Sequence, residues 1–220
     1  MAAGCLLYYI TDRIQFAGDE PTRRRLLLAK IAEAACAGIA FIQLREKDLK
    51  TRELEELARE AVQTIQGLAE NRKMRTGLLI NSRTDIAISV GADGVHLRSD
   101  DLPASELRKI WARSSAGAGE KPCIAVSCHS RAEVEWAQLQ AADFAVFGPV
   151  FEKKNDPRAV PSGLETLKQA CQVQIPVLAL GGVTLDNAAS CIKAGAAGIA
   201  AIRLFQENKI EDVARALRAL

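Results

Sequence analysis

Eight short apolar runs recur along the 220-residue chain, and longer amphipathic segments separate them. The runs are LLYYIT (6–11), FIQL (41–44), GLLIN (77–81), GVHL (94–97), CIAVS (123–127), FAVFG (144–148), PVLALGG (176–182) and GIAAI (198–202). Apolar runs of this length are typical of strands that are buried on both faces of a parallel sheet. Eight of them in a chain of this length predict a closed barrel rather than an open sheet.

The segments between the runs show the spacing of helices. In TRELEELAREAVQTIQGL (51–68), leucines and alanines recur every three or four positions. Ser130 precedes another such segment and is followed three residues later by Glu133, the pattern of a capping box. Alternating strands and helices predict βαβ units. We therefore expect an α/β protein, a single (β/α)8 TIM barrel that forms one domain over residues 1–220.

The composition excludes several classes of function. The formal net charge is +2 and 25% of the residues are charged, a balance that disfavours a dedicated nucleic-acid or membrane binder. No apolar stretch approaches the roughly 18 residues of a membrane span. The six cysteines form no CxxC pair, and several lie in apolar runs, as reduced thiols do. We expect a cytoplasmic protein that acts on a small molecule. A homo-oligomer is possible from the sequence, and its oligomeric state is left undecided.

In a barrel of this kind the active site lies at the carboxyl ends of the strands, an opening that we call the mouth. This rule selects the polar residues that follow each predicted strand. They are Thr11, Asp12 and Arg13 after the first, Gln43, Arg45 and Lys47 after the second, Asn81, Ser82 and Arg83 after the third, Arg98, Ser99, Asp100 and Asp101 after the fourth, Ser127, Cys128 and His129 after the fifth, Gly148 and Pro149 and then Glu152, Lys153 and Lys154 after the sixth, Gly181 and Gly182 after the seventh, and Arg203 after the eighth.

The two histidines differ in their expected roles. His129 follows a strand at the mouth, where an imidazole can move a proton near neutral pH. A role in starting the helix that follows Ser130 is an equal alternative. His96 lies inside the fourth strand, so we expect a buried, hydrogen-bonded core histidine there.

The last two strands end where many barrels bind phosphate through backbone N–H groups. Gly181 and Gly182 follow the seventh strand, and Arg203 follows the eighth. A tight turn from strand to helix would also favour two glycines. We also expect four cations at this rim, Arg45, Lys47, Lys153 and Lys154. Together they would carry more positive charge than one phosphate group needs.

Motifs at the strand ends resemble those of the thiamine-phosphate synthase and thiazole tautomerase superfamily. They are YYITD (8–12), GIAFIQLREK (38–47), LLIN (78–81), ADGVHL (92–97), VSCHS (126–130), ADFAVFGPVF (142–151), IPVLALGGV (175–183) and AGAAGIAAI (194–202). The resemblance covers essentially the whole chain and implies a (β/α)8 barrel. In the synthase branch it implies that a hydroxymethylpyrimidine diphosphate is joined to a thiazole phosphate, with release of pyrophosphate.

The resemblance also implies roles for residues at the mouth. Gln43, Arg45 and Lys47 would bind the pyrimidine and its diphosphate. Asn81 matches the asparagine of strand three, Ser127 a serine near the diphosphate, and Gly182 a contact of the thiazole phosphate. Lys153 or its neighbour matches a lysine after strand six. Arg203 replaces a serine, and it either binds a phosphate or blocks its site.

The chain departs from the synthase pattern where that branch holds Mg²⁺ between two aspartates. The first position is Ser82 here, and the second is retained as Asp101. A hydroxyl carries no charge, and Mg²⁺ on a substrate diphosphate usually relies on one or two carboxylates. Glu152 stands in the diphosphate loop, where it would repel an anion. We interpret Asp101 as the remnant of a metal pair, and expect Mg²⁺ as a cofactor only if the chain is a synthase.

Three functions stay open. The leading hypothesis is a thiazole tautomerase, a branch that has a small residue and then arginine at strand three, as in Ser82-Arg83, and needs no metal or other cofactor. In that branch a histidine after strand five, matched by His129, shuttles the proton that aromatises a thiazole carboxylate phosphate. The alternatives are a thiamine-phosphate synthase and a catalytically silent barrel that binds thiazole or thiamine phosphate.

Overall fold

Eight parallel strands close into a barrel in their order along the chain. The computed structural model describes residues 5–69, 75–114, 121–152 and 160–220. The strands are β1 (Leu6–Ile10), β2 (Phe41–Leu44), β3 (Gly77–Asn81), β4 (Gly94–Leu97), β5 (Cys123–Cys128), β6 (Phe144–Phe147), β7 (Val177–Leu180) and β8 (Gly198–Ala201). Pairing of β1 with β8, in which Tyr8 lies opposite Ala200, closes the ring. The predicted (β/α)8 TIM barrel is confirmed.

Helices alternate with the strands around the outside of the barrel. They are α1 (Glu20–Cys36), α2 (Thr51–Ala69), α3 (Thr84–Val90), α4 (Ala104–Arg113), α5 (Arg131–Leu139), α6 (Gly163–Ala170), α7 (Leu185–Lys193), α8 (Arg203–Gln206) and α9 (Ile210–Arg218). The helix predicted over 51–68 is therefore present as α2. Within the part of the chain that the structure describes, no helix is both long and apolar enough to cross a membrane.

Alternate residues of each strand pack into two apolar layers, as the two-residue period of a strand requires. Inside the barrel, Tyr8 and Ile10 of β1 pack with Phe144 and Val146 of β6. Leu7 and Tyr9 point the other way and belong to the layer between strands and helices. Both faces of the strands are buried, which explains why they read as continuous apolar runs.

The predicted cap at Ser130 forms at the start of α5, but the reciprocal half of the capping box is shifted by one residue and instead fixes the end of β5. Ser130 Oγ accepts a hydrogen bond from the backbone N–H of Glu133, with 3.2 Å between the heavy atoms. The carboxylate of Glu133 accepts from the backbone N–H of His129, one residue before the cap, at 2.8 Å. The backbone that carries His129 is thereby held at the barrel mouth.

Candidate active site

A cavity of about 830 Å³ opens at the carboxyl ends of the strands. Its volume lies in the range of pockets that bind small molecules, roughly 300–1,000 Å³. The predicted site residues that line it are Gln43, Arg45, Lys47, Asn81, Ser127, His129, Gly181, Gly182 and Arg203. Lys153 and Lys154 lie outside the described residues. The structure thus brings these predicted residues from five strand ends to one cavity, whereas what each of them binds stays a prediction.

The end of β2 presents its polar residues to the mouth at every second position. Gln43, Arg45 and Lys47 all line the cavity. Glu46 points away from it and is almost fully buried. This alternation follows from extended backbone, in which successive side chains point to opposite sides. It explains why a glutamine, an arginine and a lysine spaced by two can act on the same ligand.

Behind that segment, a buried ionic cluster ties β1 to β2. The guanidinium of Arg13 donates to Glu46 at 3.1 Å and to Asp48 at 2.7 Å. Thr11 Oγ1 donates to Glu46 and accepts from the backbone N–H of Arg45 at 3.0 Å. Burial raises the pKa of Glu46, and the hydrogen bonds from Thr11 and Arg13 limit that rise. The cluster fixes the backbone from which Arg45 reaches the mouth.

His96 is a buried core histidine, as predicted, and it also reaches the mouth. Its Nδ1 lies 2.9 Å from the hydroxyl oxygen of Tyr8, and its Nε2 lies 2.8 Å from Ser127 Oγ. Burial lowers the pKa of His96 to about 3, and the positive charge of Arg45 adds to the effect. The ring is therefore neutral at physiological pH and carries one donor and one acceptor.

His129 is the histidine that faces solvent at the mouth. Its Nδ1 lies 2.6 Å from the carbonyl oxygen of Gly148. A carbonyl oxygen only accepts hydrogen bonds, so Nδ1 carries the hydrogen in this contact. In the neutral ring Nε2 is then left as an acceptor. This arrangement is the one that a proton-accepting histidine requires.

The position that the resemblance assigns to the first metal-binding aspartate is occupied by the hydroxyl of Ser82, which already has a partner. Ser82 Oγ donates to Asp101 Oδ2 at 2.7 Å. The same oxygen accepts from the backbone N–H of Arg98 at 2.8 Å, and Oδ1 accepts from the Arg98 guanidinium at 3.0 and 3.1 Å. Partial burial acts to raise the pKa of Asp101, but these hydrogen bonds outweigh it and lower the pKa. Both carboxylate oxygens are thus engaged by groups of the chain itself.

The two glycines after β7 have backbone conformations that other residues rarely adopt. Their φ angles are +95° at Gly181 and +65° at Gly182. A Cβ atom at Gly182 would lie 2.5 Å from the carbonyl oxygen of Glu152. Asn187 of α7 donates to the Gly182 carbonyl at 3.0 Å and accepts from the backbone N–H of Thr184 at 2.8 Å. The turn is therefore tightly built, and it lets backbone approach the cavity without a side chain between them.

Arg203 lies across from this turn, at the start of α8. It lines the cavity and is half-buried. Among the described residues, no hydrogen bond or ion pair engages its guanidinium. The acids that line the same cavity are Asp100, Glu152, Asp186 and Glu207. Arg203 is thus a cation available to an anionic ligand, although the mouth as a whole carries both signs of charge.

The sequence did not indicate the roles of two participants. Tyr8 reads as one of several apolar residues of β1, and its hydroxyl connects it to the site through contacts with His96 and Gln43. Arg98 is one of the polar residues selected after the fourth strand, but its pairing with Asp101 depends on how the chain turns there. The alternation along β1, which points Tyr8 inward, is the one signal in the sequence that could have indicated its role.

A closed barrel whose polar residues gather at the strand ends belongs to the class of (β/α)8 enzymes with a small-molecule site. A comparison with protein families matches residues 7–205 to the family described as thiamine monophosphate synthase. The chain belongs to that family of enzymes. A relative from Geobacter sulfurreducens, named putative thiamine-phosphate synthase, is 41% identical over 217 residues, covering 97% of this chain and 93% of the relative.

Other relatives extend the same finding. The putative thiamine-phosphate synthase 2 of Aquifex aeolicus is 39% identical over 91% of this chain and 97% of its own length. The thiamine-phosphate synthase of Syntrophomonas wolfei is 37% identical over 97% of this chain and 95% of its own length. The solved thiamine phosphate pyrophosphorylase of Pyrococcus furiosus has a TM-score of 0.76 and 29% identity, over 99% of this chain and 96% of that one. These names favour the synthase alternative over the tautomerase hypothesis.

Proposed function

We propose that the mouth binds a phosphorylated thiazole and that the protein joins it to a hydroxymethylpyrimidine diphosphate, as a thiamine-phosphate synthase does. The observation that carries this proposal is the near-full-length similarity to relatives named for that activity, at 37–41% identity. The residues at the mouth support it, because Gln43, Arg45 and Lys47 face one cavity together. No supporting observation favours a silent barrel.

The proposed reaction exchanges one bond for another. The bond between the pyrimidine methylene carbon and the diphosphate oxygen breaks, and the thiazole nitrogen forms a bond to that carbon. The electron pair leaves with the diphosphate, so negative charge builds on its oxygens. Arg45 and Lys47 supply positive charge at the mouth, where pre-placed cations stabilise developing charge most effectively. Arg203 is the cation that we assign to the thiazole phosphate.

The residues around Asp101 fit Mg²⁺ poorly. Mg²⁺ is usually held by one or two carboxylates and substrate phosphates in octahedral geometry, and there it neutralises charge on a diphosphate. Asp101 supplies one carboxylate, but both of its oxygens accept from Ser82 and Arg98. Ser82 adds no charge. We therefore assign the stabilisation of charge in the proposed reaction to the side chains of the chain itself.

A second candidate function, thiazole tautomerase, is favoured by the same contact between Ser82 and Asp101. Moving a proton from one carbon of the thiazole to another requires a group that takes and returns a proton. His129 offers Nε2 for this because its Nδ1 is engaged by the Gly148 carbonyl. This reaction needs no diphosphate site and no metal. It therefore suits a mouth in which Glu152 faces the cavity.

One pair of assays on the purified protein tests both candidates. The first supplies the pyrimidine diphosphate, the thiazole phosphate and Mg²⁺, and measures pyrophosphate and thiamine phosphate. We expect both products in equal amounts. The second supplies the unaromatised thiazole carboxylate phosphate and measures its aromatisation with and without EDTA. Aromatisation without any coupling would replace the synthase proposal by the tautomerase.

His129→Asn distinguishes the roles of this histidine. If the protein is a tautomerase, the variant should lose about two to four orders of magnitude in turnover, the usual effect of losing a general acid–base. EDTA should leave the wild-type rate of aromatisation unchanged. Arg215→Ala, on the outer helix α9, is the control for activity that is lost during the preparation of any variant. An aromatisation rate that survives in His129→Asn would contradict the role of this ring.

A further inference from the structure

A chain of buried hydrogen bonds runs from β2 across the barrel interior to the mouth. Gln43 Nε2 lies 3.2 Å from the hydroxyl oxygen of Tyr8. That oxygen lies 2.9 Å from His96 Nδ1, and His96 Nε2 lies 2.8 Å from Ser127 Oγ. The first three side chains are buried, with 1% exposure for Gln43, 0% for Tyr8 and 3% for His96. Ser127 is the last member of this hydrogen-bond chain and lines the cavity, as Gln43 and His96 also do.

The donor and acceptor properties of these atoms give the chain of hydrogen bonds one direction, with each group donating to the next from Gln43 to Ser127. An amide nitrogen only donates, so Tyr8 accepts from Gln43 and turns its own hydrogen toward His96 Nδ1. A neutral imidazole has one acceptor and one donor. Since Nδ1 accepts, Nε2 carries the hydrogen and donates to Ser127 Oγ. The hydrogen of the Ser127 hydroxyl is then directed away from His96.

The chain is held in place by aromatic packing rather than by solvent. The ring of Tyr8 meets Phe41 and Phe144 edge to face, with centroid distances of 6.3 and 5.5 Å. It stacks on His96 with an interplanar angle of 24°. Burial also keeps His96 from taking up a second proton, since its pKa is lowered to about 3. The donor-to-acceptor direction of these hydrogen bonds is therefore fixed in the protein without a ligand.

We propose that Tyr8 and His96 are positioning residues that make the Ser127 hydroxyl a hydrogen-bond donor toward the mouth. The ligand atom that Ser127 meets is then an acceptor, namely an oxygen of a phosphate or diphosphate group. A ligand group that only donates could use just the second lone pair of Ser127 Oγ and would leave the hydroxyl hydrogen without an acceptor in the ligand. This inference rests on the proposed function only in that a phosphorylated ligand binds at the mouth.

The direction of the chain is tested without any ligand by ¹⁵N NMR of the histidine rings. The protein contains two histidines, so the spectrum is simple, and His129→Gln assigns the remaining signals to His96. We expect a protonated Nε2 and an unprotonated Nδ1 for His96, unchanged between pH 8 and about pH 5, as a ring pKa near 3 requires. The opposite tautomer, or a doubly protonated ring in this range, would overturn the proposal.

The consequence for binding is tested with inorganic diphosphate as the probe, by calorimetry. Tyr8→Phe removes the donor to His96, and we expect it to weaken binding about 3- to 10-fold, the usual effect of one hydrogen bond. Tyr9→Phe is the matched control, because it deletes another buried hydroxyl, one that donates to Gln206 on the outer side of β1. We expect that control to stay within about 2-fold of the wild type.

A double variant shows whether Tyr8 acts through Ser127. In the Ser127→Ala background, Tyr8→Phe should have no further effect on diphosphate binding, because coupled residues are not additive. Equal losses in Tyr8→Phe and Tyr9→Phe, or additive losses in the double variant, would overturn the proposal. If the wild type binds no diphosphate, the proposed function and the ligand of Ser127 fail together. The NMR spectrum still decides whether Tyr8 and His96 set the direction.

Discussion

At the scale of single residues, His96 is a titratable ring that the fold keeps neutral. Burial lowers its pKa from 6.5 to about 3. Between these values the unfolded chain binds a proton that the folded protein does not. Stability therefore rises with pH in this window, is complete above pH 6.5 and declines as the pH falls toward 3. The ring that orients Ser127 thus makes the protein sensitive to acid.

His96→Gln is expected to remove this contribution to the pH dependence. From pH 8 to pH 5 the histidine should cost the wild type about 2 kcal/mol of its free energy of unfolding, by proton linkage. Between pH 8 and pH 5 the free energy of unfolding of the variant should fall by correspondingly less, whatever its value at pH 8. Urea denaturation at a series of pH values measures both slopes. Tyr9→Phe, which alters another buried side chain but no group that titrates between pH 5 and pH 8, is the control and should keep the slope of the wild type. Identical slopes in all three proteins would contradict a neutral buried ring.

At the scale of elements, the turn from β7 to α7 combines two constraints at Gly182. Its φ angle of +65° is unfavourable for residues with a Cβ, and the Glu152 carbonyl leaves no room for that atom. Gly91, at the end of α3, has a nearly equal φ of +69° but no atom within 4 Å of where its Cβ would be. The two positions therefore separate backbone strain from crowding.

Gly91→Ala and Gly182→Ala form a matched pair of variants. Gly91→Ala should lower the free energy of unfolding by about 1 kcal/mol, from backbone strain alone. Gly182→Ala should cost about 1–3 kcal/mol more, because the new methyl group must displace the backbone of Glu152. Urea denaturation measures both costs. Equal decreases in the free energy of unfolding would mean that the turn can adjust to a methyl group. That result would weaken the case for a rigid anion site there.

At the scale of the whole molecule, the ligand is expected to stabilise the barrel, because the mouth gathers residues from strands that are far apart in the chain. A ligand present at 100 times its Kd adds about 2.7 kcal/mol to the free energy of unfolding. For a domain of this size that corresponds to a rise of roughly 5–10 °C in Tm. Thermal denaturation therefore reports binding without an assay of turnover.

Arg203→Ala tests whether the arginine after β8 binds the phosphate or blocks its site. If its charge-assisted hydrogen bonds hold the ligand, affinity should fall by about 1–3 kcal/mol. The Tm rise produced by a fixed concentration of thiazole phosphate should shrink accordingly. Arg215→Ala removes an equal charge from the exposed surface of α9, away from the cavity, and should leave the rise unchanged. An undiminished or larger rise in Arg203→Ala would show that Arg203 obstructs the site.

The sequence predicted the fold closely because the barrel imposes a simple pattern. Strands such as Phe41–Leu44 and Gly94–Leu97 are buried on both faces, so their apolar runs coincide with their limits in the structure. The rule that sites lie at strand ends then located many of the polar residues that line the cavity. Both inferences depend on local pattern, which a single sequence records.

Contacts between distant parts of the chain were harder to predict. The sequence marked Ser82 and Asp101 as a departure from the synthase pattern, but it did not indicate that Arg98 would engage the freed carboxylate. Likewise, Tyr8 and His96 are 88 positions apart, and their hydrogen bond depends on the stagger of strands around the barrel. Such pairings follow from three-dimensional geometry. Alternation along a strand shows only which side chains point into the barrel, not which of them contact each other.

The engagement of Asp101 by Arg98 has a consequence for how this family diverges. Two carboxylates around one divalent cation sum to zero charge, and so do the single carboxylate of Asp101 and the guanidinium of Arg98. With an uncharged residue at position 82, Asp101 is balanced by Arg98, which also lies 3.5 Å from Asp100. An acid restored at position 82 would leave an excess negative charge beside Arg98, whereas the loss of Arg98 would leave Asp101 without its counter-ion. We therefore expect the two positions to covary among relatives, so that a cation at the second accompanies an uncharged residue at the first.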